Sequence, residues 1–309
     1  MTPCVYSFPD DSHAGDPGVT AAEPVIERIA TADGVSIALH RIGPRHGIPV
    51  ILAPGTFSNW SFWLGTRGTG FARLLADHGF EACVLDFRGH GASQRPSRGQ
   101  RWNFDHWGRF DVPAAVRAIA AEGRRPLLVG HSAGGASILA ALAAELDVRA
   151  AARAAIIIAT PLPWLQRWRH VAAWAMRSAS RHLTTFPARL LRLGPEDELP
   201  GVMEQWMDWN LRGRWVGDDG TDYAVALRSL RLPLLFVAGA GDTRFAPPDA
   251  VRGLFELVTA ADAAFTLAGR DTGFARDYDH VELVVSHDAR TEIWPLMLEF
   301  LQRHDEPHS

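Results

Sequence analysis

Lysine is absent from this sequence: all 31 basic residues are arginine. They face 35 Asp and Glu, which leaves a formal net charge of −4. That balance excludes the basic surplus with which nucleic-acid binders neutralise phosphate backbones. The all-arginine usage, with abundant alanine, points to a GC-rich bacterial genome. Cysteine is scarce as well. Cys4 and Cys83 cannot build a disulfide framework, and Cys83 lies in the apolar run EACVLDF, where a small buried strand residue is expected. No apolar stretch reaches the roughly 18 residues of a membrane span. The opening residues MTPCVYSFPDDSHAGDPG have neither a basic nor an apolar leader region, so a cytoplasmic location is expected. No spaced His/Cys/Asp set suggests a metal site, and no phosphate-cradling glycine loop follows the first strand. Neither a metal nor another cofactor is expected.

What is present suits a globular α/β protein. The 309 residues are 47% hydrophobic and 21% charged, enough for one large domain with a buried core. Residues 1–24 are rich in Pro, Gly and Asp without periodicity and read as a loose arm. Strand-like runs then alternate with helix-like ones. VIERIA, VSIALHRI, PVILAPG, EACVLDF, PLLVG, AAIIIAT, LPLLFVAGAGD and AAFTLAG are the strands. GFARLLADHGF, DVPAAVRAIAAEG, AGGASILAALAAEL, DAVRGLFEL and a segment near EIWPLMLEFLQ are the helices. This order predicts a mostly parallel central sheet with helices on both faces. Residues 161–231 break the rhythm, holding no clear strand but six of the eleven Trp. They are expected to form a helical cap over the carboxyl edge of the sheet, inserted between core segments 25–160 and 232–309.

The stretch LLVGHSAGG (127–135) carries the chemistry. Gly130-His131-Ser132-Ala133-Gly134 fits G-x-S-x-G, in which a serine sits on a strained strand-to-helix turn with its hydroxyl lifted clear of the sheet. Together with PVILAPGTFSNW, DFRGHGAS, GAGD after a late strand and YDHVELVVSHDA, it makes the chain resemble the α/β-hydrolase superfamily. The resemblance covers roughly residues 25–303. DVPAAVRAI before the turn and YDHVEL resemble the acid-lipase-like, esterase branch.

In that fold the triad runs Ser, acid, His along the chain. Ser132 would be the nucleophile. Asp242 closes FVAGAGD after a strand, where the family places its acid; Asp249 reads instead as the cap of the following helix. The residues themselves offer two bases, His280 and His287. The resemblance favours His280, with Glu282 as the acidic residue that the family places two positions later. His287 reads as a neighbour of a helix cap. One oxyanion donor would be the backbone N–H of Ala133, at a helix N-terminus. The other, by resemblance, is that of Thr56, with Phe57 as the alternative. Pro54 stands where the family has His, so any bracing of this loop by that side chain is lost. His90 and His131 occupy family turns and receive no chemical role.

The cap segment 164–182 places Trp164, Leu165, Trp168, Val171, Ala172, Ala175 and Met176 on one helical face. Arg167, His170, Arg177 and Arg181 lie opposite, with Trp174, and no Asp or Glu occurs from 148 to 195. The reading preferred is an apolar side covering the cleft; the alternative is weak contact with an anionic membrane surface. Trp164, Trp168, Trp206 and Trp209 are expected to line the pocket. The resemblance and this pocket imply a cofactor-independent serine hydrolase acting on a small hydrophobic carboxylic ester. Acyl transfer on the same triad and a non-catalytic hydrolase-fold binding protein are the alternatives. No nucleic-acid partner is expected, and nothing here indicates an oligomeric state.

Overall fold

Five strands have every residue buried, the condition a sheet meets when helices cover both of its faces. They are β3 (Pro49–Ala53), β4 (Glu81–Asp86), β5 (Leu127–His131), β6 (Ala155–Ile158) and β7 (Leu234–Gly239). β1 (Val25–Ala30), β2 (Ser36–Ile42) and β8 (Ala263–Ala268) complete an eight-stranded sheet of order β1-β2-β4-β3-β5-β6-β7-β8. β2 pairs antiparallel with β1 and β4, and every other pairing is parallel. The architecture is seen in a computed structural model, which describes residues 23–65, 68–163 and 170–305. Nearly all of the expected arm at 1–24, together with Trp164 and Trp168, lies outside the described residues.

Side-chain alternation along the strands divides the core into two layers. Ile37, Leu39, Ile51 and Leu85 face the helices Val112–Ala121 and Ala133–Ala144. Val50, Leu52, Val84 and Ile156 face the helices Phe71–Asp77 and His287–Arg303. Among the described residues, no helix is long and apolar enough to cross a membrane. The loops that follow β3, β5, β7 and β8 leave the carboxyl edge of the parallel strands, where folds of this class bind ligands.

Two local expectations are corrected. Asp111 does not open the helix that follows it. Phe104–His106 is already helical, and a widened turn over Trp107–Asp111 runs into Val112–Ala121. The Asp111 carboxylate is instead fully buried, accepting from the backbone N–H of Arg88 at 2.9 Å and from its Nε at 2.8 Å. A buried guanidinium is tolerable only when paired in this way, and Asp33 takes the rest of the Arg88 fork.

The second correction concerns the helix His170–Ser180. Its buried residues are Ala173 and Ser180, whereas Val171 is 78% exposed and Ala172, Ala175 and Met176 are exposed as well. Among the described residues, the side chosen from periodicity as the covering face therefore points largely outward, and Met176 is the member of it that lines a cavity. The helix is held from its polar side: Arg177 pairs with Asp208 at 2.9 Å, on the helix Pro200–Arg212. Arg181, one residue beyond its end, pairs with Glu204 of the same helix at 2.7 Å. Periodicity finds an amphipathic helix but not which side meets the protein, and here small Ala173 permits the closer approach.

Candidate active site

At the end of β5 the chain reverses into a helix without a connecting loop, which forces Ser132 to φ 54°, ψ −120°. An L-residue is strained there, and the surroundings must hold it. The Ser132 N–H donates to Ile158 O at 2.8 Å, and Thr160 Oγ1 donates to Ser132 O at 2.9 Å. Close approach accounts for two of the motif's glycines. A Cβ on Gly130 would lie 2.5 Å from Gly135 N, and one on Gly134 would lie 2.2 Å from Ala53 O. The second contact seats the serine turn against the end of β3, so that the loop Pro54–Phe57 borders Ser132.

Asp242 follows β7 and is almost fully buried. Its Oδ2 takes His280 Nδ1 at 2.6 Å and the Ala246 N–H at 3.1 Å, and its Oδ1 takes the Phe245 N–H at 3.0 Å. Burial alone would raise its pKa. The His280 hydrogen bond and charge, with the two backbone donors, outweigh burial and carry it below its ordinary 3.8. With Nδ1 committed to the carboxylate, the neutral His280 ring presents Nε2 as its free base.

Ser132, Asp242 and His280 line one cavity of about 300 Å³, together with Thr56, Phe57 and Arg244. A second cavity of about 360 Å³ opens beside it and also reaches Ser132. Its walls are mostly apolar, among them Phe104, Met176, Phe186, Met203 and Trp206. Ala133 borders this chamber, and Thr56 and Phe57 border both.

The remaining residues singled out by sequence fall as follows. The Phe57 N–H is taken by Glu198 Oε2 at 3.0 Å, which removes Phe57 as the alternative oxyanion donor. Trp206 lines the apolar chamber. Trp209 does not: it is buried against Phe104 and Trp215, and its Nε1 donates to Val216 O at 2.7 Å. It is a core residue because its helix turns it away from the chamber that Trp206 faces. His287 is exposed on the first turn of the last helix and lines neither cavity. Asp249 sits in the first turn of Pro248–Leu257, capped by Pro247 rather than by Asp249 itself. Glu282 closes the His280 loop by accepting the Asp279 N–H at 3.0 Å.

Sequence reading missed what holds this constellation. His131 is fully enclosed, and its Nε2 donates to His280 O at 2.8 Å. Burial first, then the nearby His280, pushes its pKa down to about 3, so the ring is neutral and serves as a fixed donor. The signal was present, since an imidazole beside a serine turn is costly to bury without a partner. Which partner it finds, 149 residues onward, is not a local property of the sequence.

A model of the alpha/beta hydrolase family matches residues 50–292 of the chain. A non-heme chloroperoxidase of Streptomyces lividans is 30% identical over 133 residues, which is 43% of this chain and 44% of that protein. Triacylglycerol lipase 1 of Arabidopsis thaliana is 31% identical over 128 residues, or 37% of this chain and 33% of that protein. The chain thus spans less than half the length of either curated relative. Among solved structures, an esterase from Exiguobacterium antarcticum superposes with a TM-score of 0.65 at 16% identity, covering 90% of this chain and 100% of that one. At such identity the likeness is one of fold.

Asp242 is ionised in the fold more readily than outside it, so its contribution to stability is complete above pH 3.8 and disappears as pH falls through its lower folded value. Asp242→Asn should lower stability at pH 6 by about 1.5–3 kcal/mol, the range for a hydrogen bond to a charged group. In urea titrations the gap to wild type should close at pH values below 3.8. A gap that stays constant down to pH 2 would contradict this electrostatic account.

Proposed function

The chain belongs to the alpha/beta hydrolase family, and on that premise we propose that it hydrolyses carboxylic esters through an acyl-enzyme on Ser132. The observation that carries the reading is the 2.6 Å contact between His280 Nδ1 and Asp242 Oδ2, beside a serine held at positive φ in the same cavity. A serine hydroxyl is a poor nucleophile until a base takes its proton. As Ser132 Oγ attacks the ester carbonyl, the proton passes to His280 Nε2, and Asp242 stabilises the imidazolium that forms. The carbonyl oxygen becomes an oxyanion, to which the N–H groups of Ala133 and Thr56 donate. Collapse breaks the bond to the alkoxy oxygen, which leaves as the alcohol with the His280 proton. Water then attacks the acyl-enzyme, giving its proton to His280, and the second collapse releases the acid and returns that proton to Ser132.

The two chambers suit the two halves of an ester. The apolar one, on the Ala133 side, fits a hydrophobic acyl group, and the more polar one, beside Thr243 and Asp279, fits the alcohol. Acyl transfer to another alcohol would use the same residues, and water is the simpler second substrate. A fluorophosphonate probe should label Ser132, as located by peptide mass spectrometry. Ser132→Ala should abolish the label and reduce ester turnover by at least about a thousandfold. Labelling elsewhere, or none on folded protein, would overturn the assignment.

We further propose that the cap, residues 161–231, makes weak contact with an anionic lipid surface. Six of the eleven exposed large hydrophobic side chains among the described residues lie between Val171 and Leu191. Arg189 and Arg192 are exposed beside Leu190 and Leu191, and the nearest acids in sequence, Glu196 and Asp197, are engaged by Arg95 and by the backbone N–H of Arg189. An exposed apolar patch with cations at its edge favours an anionic interface. At low salt the protein should float with phosphatidylglycerol vesicles and not with phosphatidylcholine vesicles. Equal recovery with both, or with neither, would sink the idea.

A further inference from the structure

The loop after β3 is held on both sides of Phe57 by contacts from a segment far along the chain. Phe57 adopts φ 63°, a left-handed conformation that a bulky residue avoids unless it is held. Both of its peptide groups are pinned by one short segment that follows the cap helix His170–Ser180. The Phe57 N–H donates to Glu198 Oε2 at 3.0 Å, and Phe57 O accepts from the Glu196 N–H at 3.0 Å. Gly194 lies so close to the same carbonyl that a Cβ there would come within 2.2 Å of it.

The segment is itself anchored to the core. Glu196 Oε1 accepts from Asn59 Nδ2 at 2.8 Å and from the Gly91 N–H at 3.0 Å, and its Oε2 pairs with Arg95 at 3.1 Å. Glu198 is 1% exposed, and its Oε1 takes the Leu199 N–H at 2.8 Å. His90 Nε2 stands 3.2 Å from the same oxygen, off the direction of a good hydrogen bond but within ion-pair distance. Burial would depress the His90 imidazole, yet the charge of Glu198, followed by that of Glu196, raises its pKa despite the opposing Arg95. The buried carboxylate is thus backed by an imidazole whose protonated form it favours, while its other oxygen faces the loop.

We propose that Glu198 is a positioning residue for oxyanion stabilisation, fixing the Thr56–Phe57 peptide so that the Thr56 N–H points at the ester oxygen. This inference rests on the ester-hydrolase reading above. Glu198 lines neither cavity, so it acts through the backbone and not on substrate. The mechanism is geometric. A peptide plane rotates as a unit, so an acceptor that holds the Phe57 N–H also sets the backbone angle of Thr56 on the other side of that plane. Without the acceptor, Phe57 can relax toward negative φ, and the neighbouring N–H loses its aim. The ground-state ester gains little from that donor, whereas the tetrahedral intermediate depends on it.

The test compares Glu198→Gln, Glu198→Asp and Glu198→Ala on p-nitrophenyl butyrate, with thermal melts to verify folding and a trifluoromethyl ketone as an oxyanion mimic. Glutamine keeps one acceptor at the same reach for the Phe57 N–H and gives up the Leu199 contact, while aspartate keeps the charge but withdraws it by one methylene. Glu198→Gln should retain kcat to within about threefold. Glu198→Asp and Glu198→Ala should lose about a hundredfold in kcat, the scale of one oxyanion donor, with KM nearly unchanged and a matching loss of ketone affinity. If Glu198→Ala does not fold, the ranking of Gln over Asp still decides. The reverse ranking, a change confined to KM, or unchanged kcat in all folded variants would overturn the proposal. Wild-type protein that turns over no ester and takes no fluorophosphonate at Ser132 would instead overturn the hydrolase reading, and this inference with it.

Discussion

Everything at the site depends on the reversal of the chain at Ser132. A strand buried on both sides passes directly into a helix, and one L-residue at φ 54° absorbs the turn. That conformation persists because neighbouring backbone is packed within a side chain's width of it. Gly130 lies against Gly135, and Gly134 against the end of β3. The tightness that strains Ser132 also brings the loop after β3 to its side and places the helix N-terminus at Ala133 beneath the same cavity. The strain and the placement of the proposed nucleophile and oxyanion donors are consequences of one packing arrangement.

The second half of the site is electrostatic. Asp242 is buried, ionised and tied to His280, while His131 is buried, neutral and tied to the carbonyl of the same residue. The carboxylate orients the ring through Nδ1, and His131 fixes the backbone from which that ring projects. A charged His131 would repel an imidazolium at His280, so its depressed pKa suits the proposed reaction as well as its burial. Glu198 has the corresponding part across the cavity, where a carboxylate from the insertion takes over the bracing that Pro54 cannot provide.

Local pattern revealed the strands almost residue by residue but not their order in the sheet, because buried parallel strands read as short apolar runs between turn signals. The sequence marked the strand ends that Ser132 and Asp242 follow, whereas His280 was preferred to His287 only through the family resemblance; the structure brings the three side chains to one cavity. His131 and Glu198 were not legible. Their partners lie 149 and 141 residues away, and no local period encodes a contact made through tertiary packing. The insertion was the least legible part. Periodicity detected the helix His170–Ser180 but assigned the wrong side to the protein, because small Ala173 and the ion pair of Arg177 decide the seating. Trp206 and Trp209 lie three residues apart on one helix, one on the chamber and one in the core, a difference set by where Val216 and Trp215 happen to fold.

The central claim is a covalent intermediate on Ser132, and acid-quenched intact-protein mass spectrometry during turnover of p-nitrophenyl butyrate tests it most directly. The account predicts a fraction of the protein heavier by one butyryl group, mapped to the peptide containing Ser132 and absent from Ser132→Ala. Ester turnover with no acylated protein at any quench time, or acylation at another residue, would contradict it.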